Sequence, residues 1–163
     1  MKVAKTDWDS FYKHLSEYDV RWIKDVYYGK PYRSISLVAL TGAEIKKLYV
    51  YHDAPGESHT LPFRGIYKPL GITKAQYEKR YFTVEDVVKR LKKINAKPFA
   101  DRRLKWYGRM YAHHQKHLDL IKNPVTLRKL KGRHYELIDG NRRIIAKSLK
   151  EGFTFSCRAY ILS

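Results

Sequence analysis

The chain has 163 residues, of which 44% are hydrophobic, so it is long enough for one globular domain with a real core and a sizeable extension. Its longest apolar runs, such as "LVAL" at 37–40, fall far below the roughly 18 residues of a membrane-spanning helix, and "MKVAKTDWDS" lacks the apolar centre of a signal peptide. A single cysteine, Cys157, excludes an internal disulfide and a cysteine-based zinc cluster, and we expect a cytoplasmic protein without a membrane partner.

Basic residues dominate the charge and are unevenly distributed. The chain carries 34 Lys and Arg against 16 Asp and Glu, a net charge of +18. Residues 1–80 contain 14 basic and 9 acidic side chains, whereas residues 81–163 contain 20 and 7. Such a surplus favours a polyanionic partner over solubility alone. We therefore expect nucleic acid, DNA in preference to RNA, to bind mainly the second half.

Residues 1–80 are predicted to form an N-terminal α/β extension. Apolar spacing predicts an amphipathic helix from about residue 7, with Thr6 as its N-cap. "YRSISLVAL" and "AEIKKLYVYH" read as two strands joined by a Thr41-Gly42 turn, although the second could begin as a helix. A long loop follows, because residues 53–73 are dense in Gly, Pro and polar residues.

Residues 81–163 are predicted to form a second, basic α+β domain. Thr83 and Asp86 form a capping-box pattern before a helix with an apolar stripe, Pro98 ends it, and a further helix is expected over 104–121. Strands are predicted in "PVTLRKL" and "RHYELI", then a helix from Asn141 to Lys150 that ends at Gly152. A last strand alternates so that Cys157 belongs to its apolar face, as a core residue.

The stretch "ELIDGNRRIIAKSL", residues 136–149, places Arg142 and Arg143 in the first turn of a helix. A cation there is unfavourable by roughly 0.3–1 kcal/mol, because the helix N-terminus carries partial positive charge. If Gly140 lets the backbone bend, the N–H groups of Asn141 and both arginines form a phosphate-binding turn. The alternative is that the two side chains turn to solvent or pair with Glu136 and Asp139.

The same stretch resembles the central motif of the ParB/sulfiredoxin superfamily, in which a strand runs through a Gly-x-Arg-Arg turn into a helix. Gly140, Arg142, Arg143 and Ala146 match the ParB box Gly-Glu-Arg-Arg-x-Arg-Ala, whereas Asn141 replaces its Glu and Ile145 its third Arg. "NAKPFADRR" at 95–103 is similar to the family's upstream Asn-Pro-x-Gln-Pro-Arg segment. The resemblance covers residues from about 82 to 163 and implies a ParB/sulfiredoxin-like mixed sheet with helices.

In that superfamily the turn binds the phosphates of a nucleotide or a nucleic acid, so Gly140, Asn141, Arg142 and Arg143 are the expected phosphate-binding residues. The resemblance also implies nuclease or nucleotide-hydrolysing activity with a divalent metal ion or a nucleotide as cofactor. Asp139 and Glu136, the acids nearest the turn in sequence, are the candidate catalytic residues. The alternatives are a small-molecule phosphotransferase, similar to the free serine kinase of the superfamily, and a non-catalytic DNA-docking module.

Two further groups of residues are candidate sites. Cations of "ADRRLKWYGR" are the expected nucleic-acid contacts: Arg102, Arg103, Lys105 and Arg109. Tyrosines among such cations could stack on unpaired bases, whereas Tyr49 and Tyr135 read as packing. His113 and His117 lie one helical turn apart, but the pattern has no evident third ligand, and no metal site is predicted there.

Overall fold

The computed structural model describes residues 2–4, 6–17, 32–51, 70–95 and 123–163, which form a mixed sheet and five helices. In chain order the elements are β1 Lys2–Ala4, α1 Trp8–Glu17, β2 Ile35–Leu40, α2 Gly42–Lys47, β3 Tyr49–Val50, α3 Lys74–Lys79, α4 Val84–Asn95, β4 Val125–Lys129, β5 Tyr135–Asp139, α5 Asn141–Glu151 and β6 Cys157–Leu162. The predicted α+β class is confirmed. Pro98, predicted to end the helix that begins at Thr83, and the helix predicted over 104–121 lie outside the described residues.

The six strands are ordered β1-β2-β6-β4-β5-β3 in one sheet. β6 pairs parallel with β4 and β3 pairs parallel with β5, while the other neighbours are antiparallel. The β4–β5 register shifts between Thr126 and Leu127. Both predicted segments, residues 1–80 and 81–163, contribute strands to this sheet, and the boundary predicted near residue 80 stays a prediction.

The two faces of the sheet carry separate apolar clusters. Cys157, Ala159 and Ile161 of β6 belong to a large cluster with residues of α2, α3, α4 and α5. Tyr160 and Leu162 alternate onto the opposite face and join Phe11 of α1 in a smaller cluster. The helices therefore cover the sheet from both sides, with α5 on the larger side.

Local capping explains where most helices begin. Thr83 and Asp86 exchange the two hydrogen bonds of a capping box, as predicted, at 3.1 Å each. The N-cap predicted at Thr6 is wrong by one residue, because Asp7 accepts from the Ser10 N–H at 2.7 Å.

The segment predicted as a second strand after Thr41 begins as a helix, the alternative that the sequence left open. Thr41 and Glu44 form a capping box, and α2 ends before the two-residue strand β3. Of the predicted long loop, residues 70–73 are described: Leu70 and Ile72 are buried in the larger cluster, and α3, a helix that was not predicted, follows directly. None of the helices in the described residues has the length and apolar character that a membrane crossing requires.

Candidate phosphate site at the start of helix α5

Strand β5 runs directly into helix α5 through Gly140, as the sequence motif predicts. Gly140 has φ +90° and ψ 7°, in the left-handed region that a side chain disfavours. A Cβ at this position would lie 2.4 Å from Cγ1 of buried Val125 on β4. Backbone conformation and close packing therefore both require glycine here.

Asn141, the first residue of α5, fixes the turn through its side chain. Its Nδ2 donates to the Leu137 carbonyl of β5 at 3.1 Å, and its Oδ1 accepts from the Tyr51 N–H at 3.2 Å. The amide thereby ties the helix start to two neighbouring strands. Since both ends of the amide are engaged in this way, Asn141 positions the turn rather than capping it.

The start of α5 differs from the starts of the other helices described above. It has no side-chain cap, and like α3 it has no acidic residue in its first turn. The first N–H of the helical hydrogen-bond series is that of Ile144, which donates to the Gly140 carbonyl at 3.0 Å. The N–H groups of Asn141 and Arg142 lie before this series, at the open end of the helix. Helices α1, α2, α3 and α4 all begin with an Asp or Thr side chain that accepts from the third helical N–H.

Arg143 is held against the strand end. Its Nη2 donates to Asp139 Oδ2 at 2.8 Å, and its Nη1 donates to the Asn123 carbonyl at 3.1 Å. The side chains of Arg143 and Asp139 are only 14% and 23% exposed. For Arg143 the structure therefore shows the alternative weighed from the sequence, pairing with Asp139. The side chain of Arg142 lies outside the described part of the chain.

Glu136 is engaged elsewhere. Its carboxylate is fully buried and accepts from Nε of Arg128 at 2.9 Å as well as from Nη2 of the same guanidinium. Glu136 alternates with Leu137, which belongs to the larger cluster, so it lies on the face of α1. Tyr32 lies in the same polar group, where burial raises its pKa to about 12 although the Arg128 guanidinium opposes the shift.

The two predicted catalytic carboxylates are thus each bonded to an arginine and separated by the buried residues Leu137 and Ile138. A fully buried, ion-paired Glu136 cannot reach a substrate in this state. Among the described residues there is also no group of three or more His, Cys, Asp or Glu that could hold a metal ion. The catalytic role of Asp139 and Glu136 stays a prediction that the described geometry does not support.

Several predicted residues fall elsewhere or outside the described ranges. The cations expected to contact nucleic acid, Arg102, Arg103, Lys105 and Arg109, lie outside them, as do His113 and His117. Cys157 is buried in the core as predicted, and burial raises its thiol pKa to about 12. A thiol in that setting is not a nucleophile near neutral pH.

Sequence reasoning missed two features near the site. The first is the Arg128–Glu136 pair, whose signal was present, because the two opposite charges lie four residues on either side of Gly132, the centre of the hairpin, and so become cross-strand partners. The second is a stack of three rings at the sheet edge. Tyr49 lies 5.0 Å from Tyr81 and 5.4 Å from His134 between ring centroids, with interplanar angles of 28° and 26°.

Comparisons of the chain with protein-family models, curated proteins and solved structures return no match.

Proposed function

We propose that this protein binds nucleic acid, DNA in the first instance, and that the start of α5 holds a backbone phosphate. The observation that carries the proposal is the helix start itself. Gly140 turns the chain in a left-handed conformation, the first turn of α5 has neither a side-chain cap nor an acid, and Arg142 and Arg143 follow. An anion at this place would accept from the N–H groups of Asn141 and Arg142 and interact favourably with the helix dipole.

Exposed cations on the same side of the sheet favour a polyanionic ligand over a single phosphate ion. Helices α4 and α5 both pack on the larger cluster, and they expose Lys92, Lys93 and Lys150. Exposed cations of this kind contribute to the binding of a polyanion through counterion release.

The resemblance to the ParB/sulfiredoxin superfamily belongs to this proposal. It is supported by the order strand, glycine turn, helix and final strand in residues 135–162, the order that the motif implies. Binding is favoured over cleavage, because Glu136 and Asp139 are each engaged by an arginine. Nuclease activity and phosphotransfer to a small molecule are then outcomes to be tested, not parts of the proposed function.

The experiment exploits opposite effects of one substitution on stability and on binding. Arg142→Glu places an acid in the first turn of α5, which should raise the free energy of unfolding by roughly 0.3–1 kcal/mol. The same change places a carboxylate beside the bound phosphate and removes a charge-assisted contact of roughly 1.5–3 kcal/mol, so it should weaken DNA binding by about tenfold or more. Fluorescence anisotropy with labelled duplex DNA, single-stranded DNA and RNA, at several salt concentrations, measures the binding.

The matched control is Lys13→Glu, which makes the same change in net charge at an exposed position of α1, on the opposite face of the sheet. The proposal requires Arg142→Glu to weaken binding much more than Lys13→Glu does. Equal weakening would mean that net charge alone drives association and that the α5 start is not the site. A wild-type chain that binds no nucleic acid at low salt, but is stabilised against heat by nucleotides or inorganic phosphate, would support the phosphotransferase alternative.

A further inference from the structure

The ring stack at the edge of the sheet contains one ring that faces solvent. Tyr49 in β3 is the central ring, between Tyr81 and His134. Tyr49 and Tyr81 are half-buried, whereas His134 is exposed in the loop between β4 and β5. Its backbone carbonyl accepts from the Leu130 N–H at 2.9 Å, so the hairpin holds the residue in place. The imidazole is therefore an exposed ring that stacks on the Tyr49 ring beneath it.

Cations lie on both chain segments that supply the outer rings. Lys129, Lys131 and Arg133 are exposed in the hairpin beside His134, and the segment 129–135 contains no acidic residue. Beside Tyr81, both Lys79 and Arg80 are exposed. The Arg80 guanidinium lies over the ring of buried Phe82 at 4.6 Å.

Rings among cations are the arrangement that binds unpaired nucleic-acid strands. Every base has an apolar face that can stack on an aromatic ring, while Lys and Arg interact with the phosphates on either side of it. Duplex DNA offers its phosphates but keeps its bases stacked within the helix. A ring site of this kind therefore distinguishes an unpaired strand from a duplex, which a helix start that holds phosphate does not.

We propose that the stack of His134, Tyr49 and Tyr81 docks an unpaired base of single-stranded nucleic acid, with the base lying on the His134 ring and Arg133 and Lys131 beside its phosphates. The inference rests on the proposed nucleic-acid binding and adds a preference for unpaired strands. Preorganisation supports it, since an imidazole already held flat by Tyr49 loses little freedom when a base stacks on it.

The test compares three probes on the full chain: a labelled oligothymidine, an oligomer of the same length made of abasic sites, and a duplex of the same length. His134→Ala removes the ring from an exposed position, and His134→Phe retains an aromatic ring there. We expect His134→Ala to weaken oligothymidine binding by about 5- to 150-fold, the effect of losing one stacked base. His134→Phe should restore it, and neither variant should change binding of the abasic strand or the duplex.

Arg133→Ala separates the contribution of charge from that of stacking. This variant should bind all three probes more weakly than wild type, and its binding should depend less on salt, because a phosphate contact is sequence-independent and releases counterions. The inference is overturned if His134→Ala binds oligothymidine as tightly as wild type does, or if it weakens binding of the abasic strand as much as binding of oligothymidine. Wild-type binding that fails for all three probes would instead overturn the proposed function, so the two failures are distinguishable.

Discussion

Gly140→Ala should be among the most destabilising single substitutions near the candidate site. The new Cβ would stand 2.4 Å from Cγ1 and 2.9 Å from Cβ of Val125, a residue with no exposed surface, so it has no open space to enter. An alanine held at φ +90° costs about 1–2 kcal/mol, and overpacking a core costs about 1–3 kcal/mol. The sum of about 2–5 kcal/mol is a large part of the roughly 5–15 kcal/mol by which domains are stable.

Gly71→Ala is the matched control, since Gly71 also has a positive φ of 69° but a Cβ there would meet nothing within 4 Å. Its cost should be limited to the backbone penalty of about 1–2 kcal/mol. Urea unfolding followed by circular dichroism measures both variants. The same measurement in a Val125→Ala background removes the 2.4 Å contact with Cγ1 and keeps the 2.9 Å contact with Cβ, so the cost of Gly140→Ala should fall there by about 0.5–3 kcal/mol.

The reasoning would be refuted if Gly140→Ala cost no more than Gly71→Ala, or if its cost were the same with valine and with alanine at position 125. Either result would mean that the turn adjusts without disturbing β4. The start of α5 would then not be fixed by packing, and the precise placement of its N–H groups would have to come from Asn141 alone.

Two further predictions concern buried ionisable groups. Arg128→Met should lower the free energy of unfolding by about 3–5 kcal/mol, because it leaves the buried Glu136 carboxylate without that guanidinium. Adding Glu136→Leu should recover most of the loss, because no buried charge then remains at position 136. Equal urea midpoints for the single and double variants would contradict this. Burial raises the Cys157 pKa to about 12, so the folded chain keeps the thiol proton at a pH where the unfolded chain, with a pKa of roughly 8.5, loses it. The free energy of unfolding should therefore fall as the pH rises from about 8.5 towards 12. Cys157→Ala should reduce that fall, and a thiol reagent at pH 8 should label the native protein far more slowly than the unfolded chain.

The features that the sequence predicted correctly are those decided by neighbours along the chain. Thr83 and Asp86 lie three residues apart and form their capping box as expected. Gly152 ends α5 at φ +69°, and the alternation through Cys157 places one face of β6 in the core. Such features depend on helix and strand periods, which are readable without knowledge of the tertiary fold.

The features that the sequence did not predict depend on contacts with distant segments of the chain. The helical start of α2, which the sequence left open, is an exception, because its Thr41–Glu44 capping box is a local signal. Leu70 and Ile72 read as part of a polar loop, yet they are buried because the larger cluster receives them. The contact of Arg143 with the Asn123 carbonyl, twenty residues away, depends on how β4 begins and has no local pattern.

The two arginines at the start of α5 have different explanations in the structure. Arg143 does not remain an adverse cation, because Asp139 stands 2.8 Å from its guanidinium and itself adds a favourable negative charge near the helix N-terminus. The pair brings almost no net charge to the turn, so Arg143 serves the local fold whether or not a ligand binds. Arg142 adds a second positive charge to the same turn, and the turn contains no further acid to offset it. A phosphate held by the N–H groups of Asn141 and Arg142 would offset that charge, which is why Arg142→Glu, rather than a change at Arg143, separates a binding site from an ordinary helix start.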